Sequence, residues 1–403
     1  MLARVTLAAL LAASPAAHTR VVSADPADTT PHVLDGIVNA IALVGGTVVV
    51  GGSFSEVSDA GRTVTLARDN LFAYDLATGR ILPGFAPEVD GPVHGLAAGD
   101  AGTVYVGGDF PDVNGETARS LARIRLRDGS VVRGFAPRVA GGMVSALARQ
   151  GAHLYAGGDF TRPRTALARL DAATGAADPG FAITPGAPLT PRVKVQALAV
   201  AGGRLVVDGS FTTLGGRSRP QLGLIDVGGP TAQVAPWRTT AYSPACKRVF
   251  PSYVRGLDFS PDGRYFVVVT TGGAGTGAKL CDTAARFETY ATAADVRPTW
   301  VNHTGGDSLY AVAVTGAAVY VGGHQRWLDN PRGRDSAGPG AVAREGIAAI
   351  HPTTGKALSW NPGRERGIGV KAFLPHPGGL LVGSDTTRLG REYHARIGMF
   401  PLR

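Results

Sequence analysis

Apolar and polar positions along the chain repeat in a short cycle that has no helical period. Seven segments align without gaps: Val38-Asn39-Ala40-Ile41-Ala42, Val93-His94-Gly95-Leu96-Ala97, Val144-Ser145-Ala146-Leu147-Ala148, Val195-Gln196-Ala197-Leu198-Ala199, Val254-Arg255-Gly256-Leu257-Asp258, Leu309-Tyr310-Ala311-Val312-Ala313 and Val370-Lys371-Ala372-Phe373-Leu374. Their starts lie 55, 51, 51, 59, 55 and 61 residues apart. After a short turn a β-branched or aromatic run ends in glycine, as in Val104-Tyr105-Val106-Gly107-Gly108 and Leu154-Tyr155-Ala156-Gly157-Gly158. Such runs predict strands. A third strand recurs in Leu121-Ala122-Arg123-Ile124 and Leu167-Ala168-Arg169-Leu170. A turn such as Thr78-Gly79 or Thr174-Gly175 then leads to a fourth, bearing Phe85, Phe135, Phe181, Trp237, Trp300 or Trp360. Four antiparallel strands in each of seven units, about 54 residues apiece, predict an all-β, seven-bladed β-propeller. A linear solenoid would need polar capping repeats, and none is visible.

The last unit stops after its third strand at Met399-Phe400, and Thr30-Pro31-His32-Val33-Leu34-Asp35-Gly36 stands where Phe85-Ala86-Pro87-Glu88-Val89-Asp90-Gly91 stands in the next unit. The N-terminal segment is therefore expected to supply the last blade's fourth strand and cover its bare edge. The repeat form Val-Gly-Gly-Asp-Phe, Leu-Ala-Arg-Leu-Asp, Thr-Gly and Gly-Phe-Ala-Pro resembles the delta-sixty repeats of secreted bacterial β-propellers of undefined function. The resemblance covers most of the chain, is degraded in the fifth unit at Phe259-Ser260-Pro261-Asp262-Gly263, and implies fold and export but no catalytic residue.

Composition narrows the class. Of 403 residues 57 are Gly and 44% are apolar, which excludes disorder, and the spacing of the glycines excludes collagen. The net charge of +9 comes mostly from Arg, since only five of 40 basic residues are Lys. These charges are scattered without a basic run, so nucleic acid is not an expected partner. Met1 to Arg4 is a short basic start, Val5 to Ala13 is apolar, and small residues follow. That is the layout of a secretory leader, residues 1–24, ahead of a single domain at 25–403. Cleavage after Ala24 suits the small-x-small rule and cleavage after Ala16 or Ala17 suits the distance from the apolar run; the sequence leaves both open. No second apolar stretch approaches the 18 or so residues of a span. The expected product is an extracytoplasmic monomer without a membrane span.

In a propeller, Asn39, His94, Ser145, Gln196, Arg255, Tyr310 and Lys371 open the central channel. A wet rim is the plainer reading of polar residues there, but the mixture of donors and a titrating group suits a binding site. The sixth unit adds a long loop, His324-Gln325-Arg326-Trp327 through Arg332 and Arg334, where the Phe that follows Gly-Gly in the first four units is replaced. Trp327 lies outside the repeating aromatic position and, beside those arginines, would either suit a sugar or an anionic polymer or fold the long loop down over the channel. Asp385, Arg388, Glu392, Tyr393 and His394 follow in the seventh. No metal-ligand spacing and no nucleotide loop occurs, so neither a metal nor a cofactor is expected. The expected role is a non-catalytic binding or scaffold propeller for envelope glycan or protein. The alternative is an extracytoplasmic lyase or hydrolase built on His94, Tyr310, His324, Glu392, Tyr393 or His394, which requires those side chains to converge. Cys246 and Cys281 flank the fifth unit's first two strands and, after export, should form a disulfide.

Overall fold

The computed structural model describes residues 17–243, 245–274 and 279–402 and is all-β; the apolar leader segment lies outside the described residues. Seven sheets share one order among these residues, in which a first strand pairs antiparallel with a second and the second with a third. The first strands are Ile37–Val44, Val93–Ala98, Val144–Gln150, Val195–Ala201, Val254–Phe259, Leu309–Val314 and Ala372–His376. Each lies against the next in chain order, and Ala372–His376 lies against Ile37–Val44.

The paired glycines have two distinct jobs. A Cβ on the second would strike its own sheet's preceding carbonyl, as at Gly52, 2.0 Å from the Ile37 oxygen. A Cβ on the first would strike the following sheet: Gly51 at 2.5 Å from Val93, Gly107 at 2.6 Å from Val144, Gly157 at 2.6 Å from Val195, and Gly383 at 2.5 Å from Val38. Real Cβ atoms do not approach so closely, so glycine lets adjacent sheets close up.

The expected fourth strand is a ladder in only two sheets, at Gln233–Val234 and Trp300–His303. In four others it shrinks to one bridge, Tyr74 to Ile81, Ile124 to Val131, Leu170 to Ala177 and Ile350 to Ala357. In each of these four the residue after the bridge still donates its N–H to the third strand, Leu82 to Ala73, Val132 to Arg123, Asp178 to Arg169 and Leu358 to Ala349, and the pairing stops there. The aromatic that follows instead turns inward between sheets. Phe85 is fully buried beside Val104 and Val106 of the next sheet, and Phe181 beside Val207. Trp237, Trp300 and Trp360 donate their indole N–H to the carbonyls of Glu288, Pro352 and Ser23 at 3.0, 2.8 and 2.9 Å.

The N-terminal segment meets the last sheet already upstream of the expected stretch, and within that stretch the Val33 N–H donates to the Ala395 carbonyl at 3.0 Å. The N–H groups of Ser23 and Ala27 donate to Pro401 and Met399 at 2.8 Å each. The Ala27 bond has the place that Leu82 N–H to Ala73 has in the first sheet. Residues 30–36 run on from there, and His32–Val33 pairs with Glu56–Ser58. Cys246 and Cys281 form the expected disulfide, with Cα atoms 5.8 Å apart.

Candidate functional site

Six of the seven first strands carry an irregularity at one equivalent place. The register slips between Val38 and Ala40, Val93 and Gly95, Val144 and Ala146, Val195 and Ala197, Val254 and Gly256, and Leu309 and Ala311. The extra residues are Asn39, His94, Ser145, Gln196, Arg255 and Tyr310. A bulge re-aims the side chain it inserts, and here all six, with Lys371 just before the seventh first strand, line one cavity of about 600 Å³. The Ala or Gly that follows each of them leaves room where the strands converge.

The cavity is basic. Lys194, Arg255 and Lys371 line it together with His94, and no carboxylate does so among the described residues. Lys194 and Met143 were not legible as lining residues, because they occupy the variable position just before the repeated valine. Burial lowers the Lys194 pKa, with Asp159 acting against this and the Arg255 charge adding to it. Burial, then the Arg255 charge, brings Lys371 down to about 8, partly offset by Asp385. His94 is lowered by burial and by Lys194. Arg255 donates to the backbone carbonyls of Val254 and Ser252 at 2.8 and 3.2 Å. Behind it Asp208 is fully buried, accepts the Ala197 N–H at 2.8 Å, and is pushed up to about 8 by burial. Lys371 Nζ sits 3.6 Å from the centre of the Tyr310 ring, and Asn39 donates to the Val93 carbonyl at 3.0 Å.

The remaining candidates separate into local arrangements. Tyr310 Oη and His324 Nδ1 are 3.4 Å apart at the mouth, and burial lowers the His324 pKa. Arg326 grips the buried Asp307 with Nε to Oδ2 at 2.9 Å and Nη2 to Oδ1 at 3.1 Å, pairs also with Asp335, and covers the Trp327 ring at 4.3 Å. Its charge is thus committed to holding the long loop. Trp327 lies in a small hairpin, Trp327–Leu328 with Val342–Ala343, whose Leu328 is buried. Arg334 is exposed and, with Arg332, lines a second cavity of about 300 Å³ beside His303 and Asp282. Asp385 accepts the backbone N–H groups of Ile368 and Gly369, the latter at 3.0 Å, and so fixes the loop entering the seventh sheet. Gln325, in the place of the repeating Phe, is fully buried with neither amide atom bonded among the described residues.

Glu392, Tyr393 and His394 gather against the N-terminal segment. His394 is buried, its Nε2 4.0 Å from Glu392 Oε2, and one potential ligand atom from each of these two and from Asp28 lies within 4.8 Å of the others. The Tyr393 ring packs on His32 at 4.9 Å, under Arg62 at 4.7 Å. Of the residues an enzyme would use, Tyr310 and His324 meet at the mouth, and His94 shares the cavity with Tyr310.

No family model and no curated protein matches the chain. Solved structures do. The computationally designed Ika8 protein is 13% identical with a TM-score of 0.51, covering 94% of this chain and all of its own. The WD40 β-propeller domain of Doa1 is 10% identical with a TM-score of 0.53, covering 92% of this chain and 95% of its own. The β-propeller domain of Cps50 (Swd1) from Myceliophteria thermophila is 11% identical with a TM-score of 0.50, covering 92% and 99%. At such identities the likeness concerns fold alone, and with the sheet order above the conclusion is that this chain is a β-propeller.

Proposed function

We propose that this chain is an exported, seven-bladed β-propeller of the delta-sixty-repeat type, a non-catalytic binding or scaffold module that takes envelope glycan or protein at its channel mouth. The observation that carries the binding role is the convergence of seven differing side chains, six of them bulged, on one cavity of about 600 Å³. A merely wet rim requires no such repeated re-aiming. A closed ring is supported by the approach of Gly383 to Val38 and by the bonds from Ser23 and Ala27 to the last strand. Export is supported by the disulfide, which an oxidising compartment permits. Leader removal after Ala16 or Ala17 is favoured over removal after Ala24, because Val22 is buried and Ser23 is bonded.

Screening the chain from Ala17 onward against immobilised glycans and envelope fractions tests the binding role. Capture that Arg255→Ala abolishes and that Arg127→Ala, on an exposed turn, preserves is the expected result. Capture by nothing, or capture indifferent to both changes, would refute it.

A further inference from the structure

We propose that the ligand of the channel mouth is a small multivalent oxyanion, or a saccharide bearing such groups, held by Lys194, Arg255 and Lys371. This rests on the binding role above and adds the chemical class of the ligand.

Three side-chain cations face a single cavity whose described lining contains no carboxylate. Elsewhere in this molecule arginines meet acids at contact distance, as Arg326 meets Asp307, Arg169 meets Asp178 and Arg286 meets Glu288. At the mouth that habit is broken. The acids within electrostatic reach are not among the lining residues: Asp109 and Asp159 toward Lys194, Asp385 toward Lys371, and Asp208 toward Arg255. Two of them are spoken for, Asp159 by the Met143 N–H at 2.8 Å and Asp385 by the Ile368 and Gly369 N–H groups. Asp208 accepts the Ala197 N–H and forms no ion pair with Arg255 among the described residues. Confining like charges costs free energy that an entering anion returns, and two backbone carbonyls already hold the Arg255 guanidinium in place. His94, Gln196, Asn39 and Ser145 supply neutral polar groups around the same space, and the Tyr310 ring is covered by Lys371.

Carboxylate and phosphate share this chemistry, and calorimetry can separate them. Titrations of the full exported chain at pH 7 would use citrate and digalacturonate for carboxylate, pyrophosphate for phosphate, and chitotetraose as a neutral saccharide. At least one anion is expected to bind, more weakly as salt rises from 50 to 300 mM, and the tighter arm identifies the source. Lys194→Met/Lys371→Met, which keeps the apolar stems, should weaken that anion by about 10-fold or more. The double change Arg80→Met/Arg127→Met on exposed outer turns should leave it unaltered. If chitotetraose or an envelope fraction binds and is blocked by Ser145→Trp while no anion does, the anionic class is wrong and the binding role stands. If an anion binds the lysine double variant as well as the parent, this assignment fails too. If nothing binds at all, both fail. Unchanged thermal melting of the methionine variants excludes misfolding as the cause of a loss.

Discussion

Asp208 stands where most units have the first glycine of the pair, and its chemistry is set by where it is rather than by what it touches. Its carboxyl is fully buried, with one oxygen bonded to the Ala197 N–H, and burial raises its pKa from 3.8 to about 8. Between those values the folded chain holds a proton that the unfolded chain has released, so this residue makes stability fall as pH rises from about 4 to about 8. Asp208→Asn removes that titration and keeps the acceptor for Ala197. The melting temperature of the variant should exceed that of the parent by about 5 °C or more at pH 9, with a smaller gap at pH 5. A constant gap across that range would mean that Asp208 does not titrate in the folded state. Residue-scale roles of this kind were only partly legible. The mouth positions could be read because the flanking Val and small residue repeat. The commitment of Arg326 to Asp307, or of Asp385 to the Ile368 loop, could not, since each partner lies 17 to 19 residues away in a loop of no repeating pattern.

At the scale of elements, the first three strands of each unit were readable because their alternation is enforced from both faces by neighbouring sheets. The fourth was readable in position but not in extent, because its aromatic serves as a wedge between sheets and its pairing ends after a single bridge in four units. The small hairpins of the second-to-third loops, such as Glu56–Ser58 with Thr65–Ala67, also escaped notice, since a buried aliphatic such as Val57 or Leu328 in a strand of two or three residues is too weak a signal. The fifth unit keeps its loops differently, by the Cys246–Cys281 bridge, which spans 35 residues. Gly272 belongs to this device: with φ of +143° it brings the chain to where a Cβ would lie 2.6 Å from Cys246 Sγ. Replacing both cysteines by serine should cost about 3 to 4 kcal/mol by the loop-entropy argument. Denaturant titration of the oxidised parent against the double serine variant measures this. Equal midpoints would show that the bridge does not stabilise the fold.

The whole molecule depends on how its two ends meet. Val22 is buried against Tyr320, Trp360 and Phe400, and its N–H donates to Tyr320 Oη at 3.0 Å. His18 is likewise buried, with Nε2 2.8 Å from the His376 carbonyl oxygen. Ser23 receives the Trp360 indole N–H, the role that Glu288 and Pro352 have for Trp237 and Trp300. The offset of 55 residues between the N-terminal segment and the second unit pointed to this junction, while the stretch before Asp25 has no strand pattern and was assigned to a leader on one of two readings. Residues 18–24 therefore separate those readings physically. A chain begun at Asp25 loses the Val22 packing, the Ser23 bonds and the His18 contact together. It should melt at least about 5 °C below a chain begun at Ala17, on the scale of removing one buried aliphatic side chain and several hydrogen bonds. If the chain is exported as proposed, its intact mass should correspond to a start at Ala17 or His18. Equal melting of the two chains, or an exported mass starting at Asp25, would mean that the segment before Asp25 does not contribute to the fold.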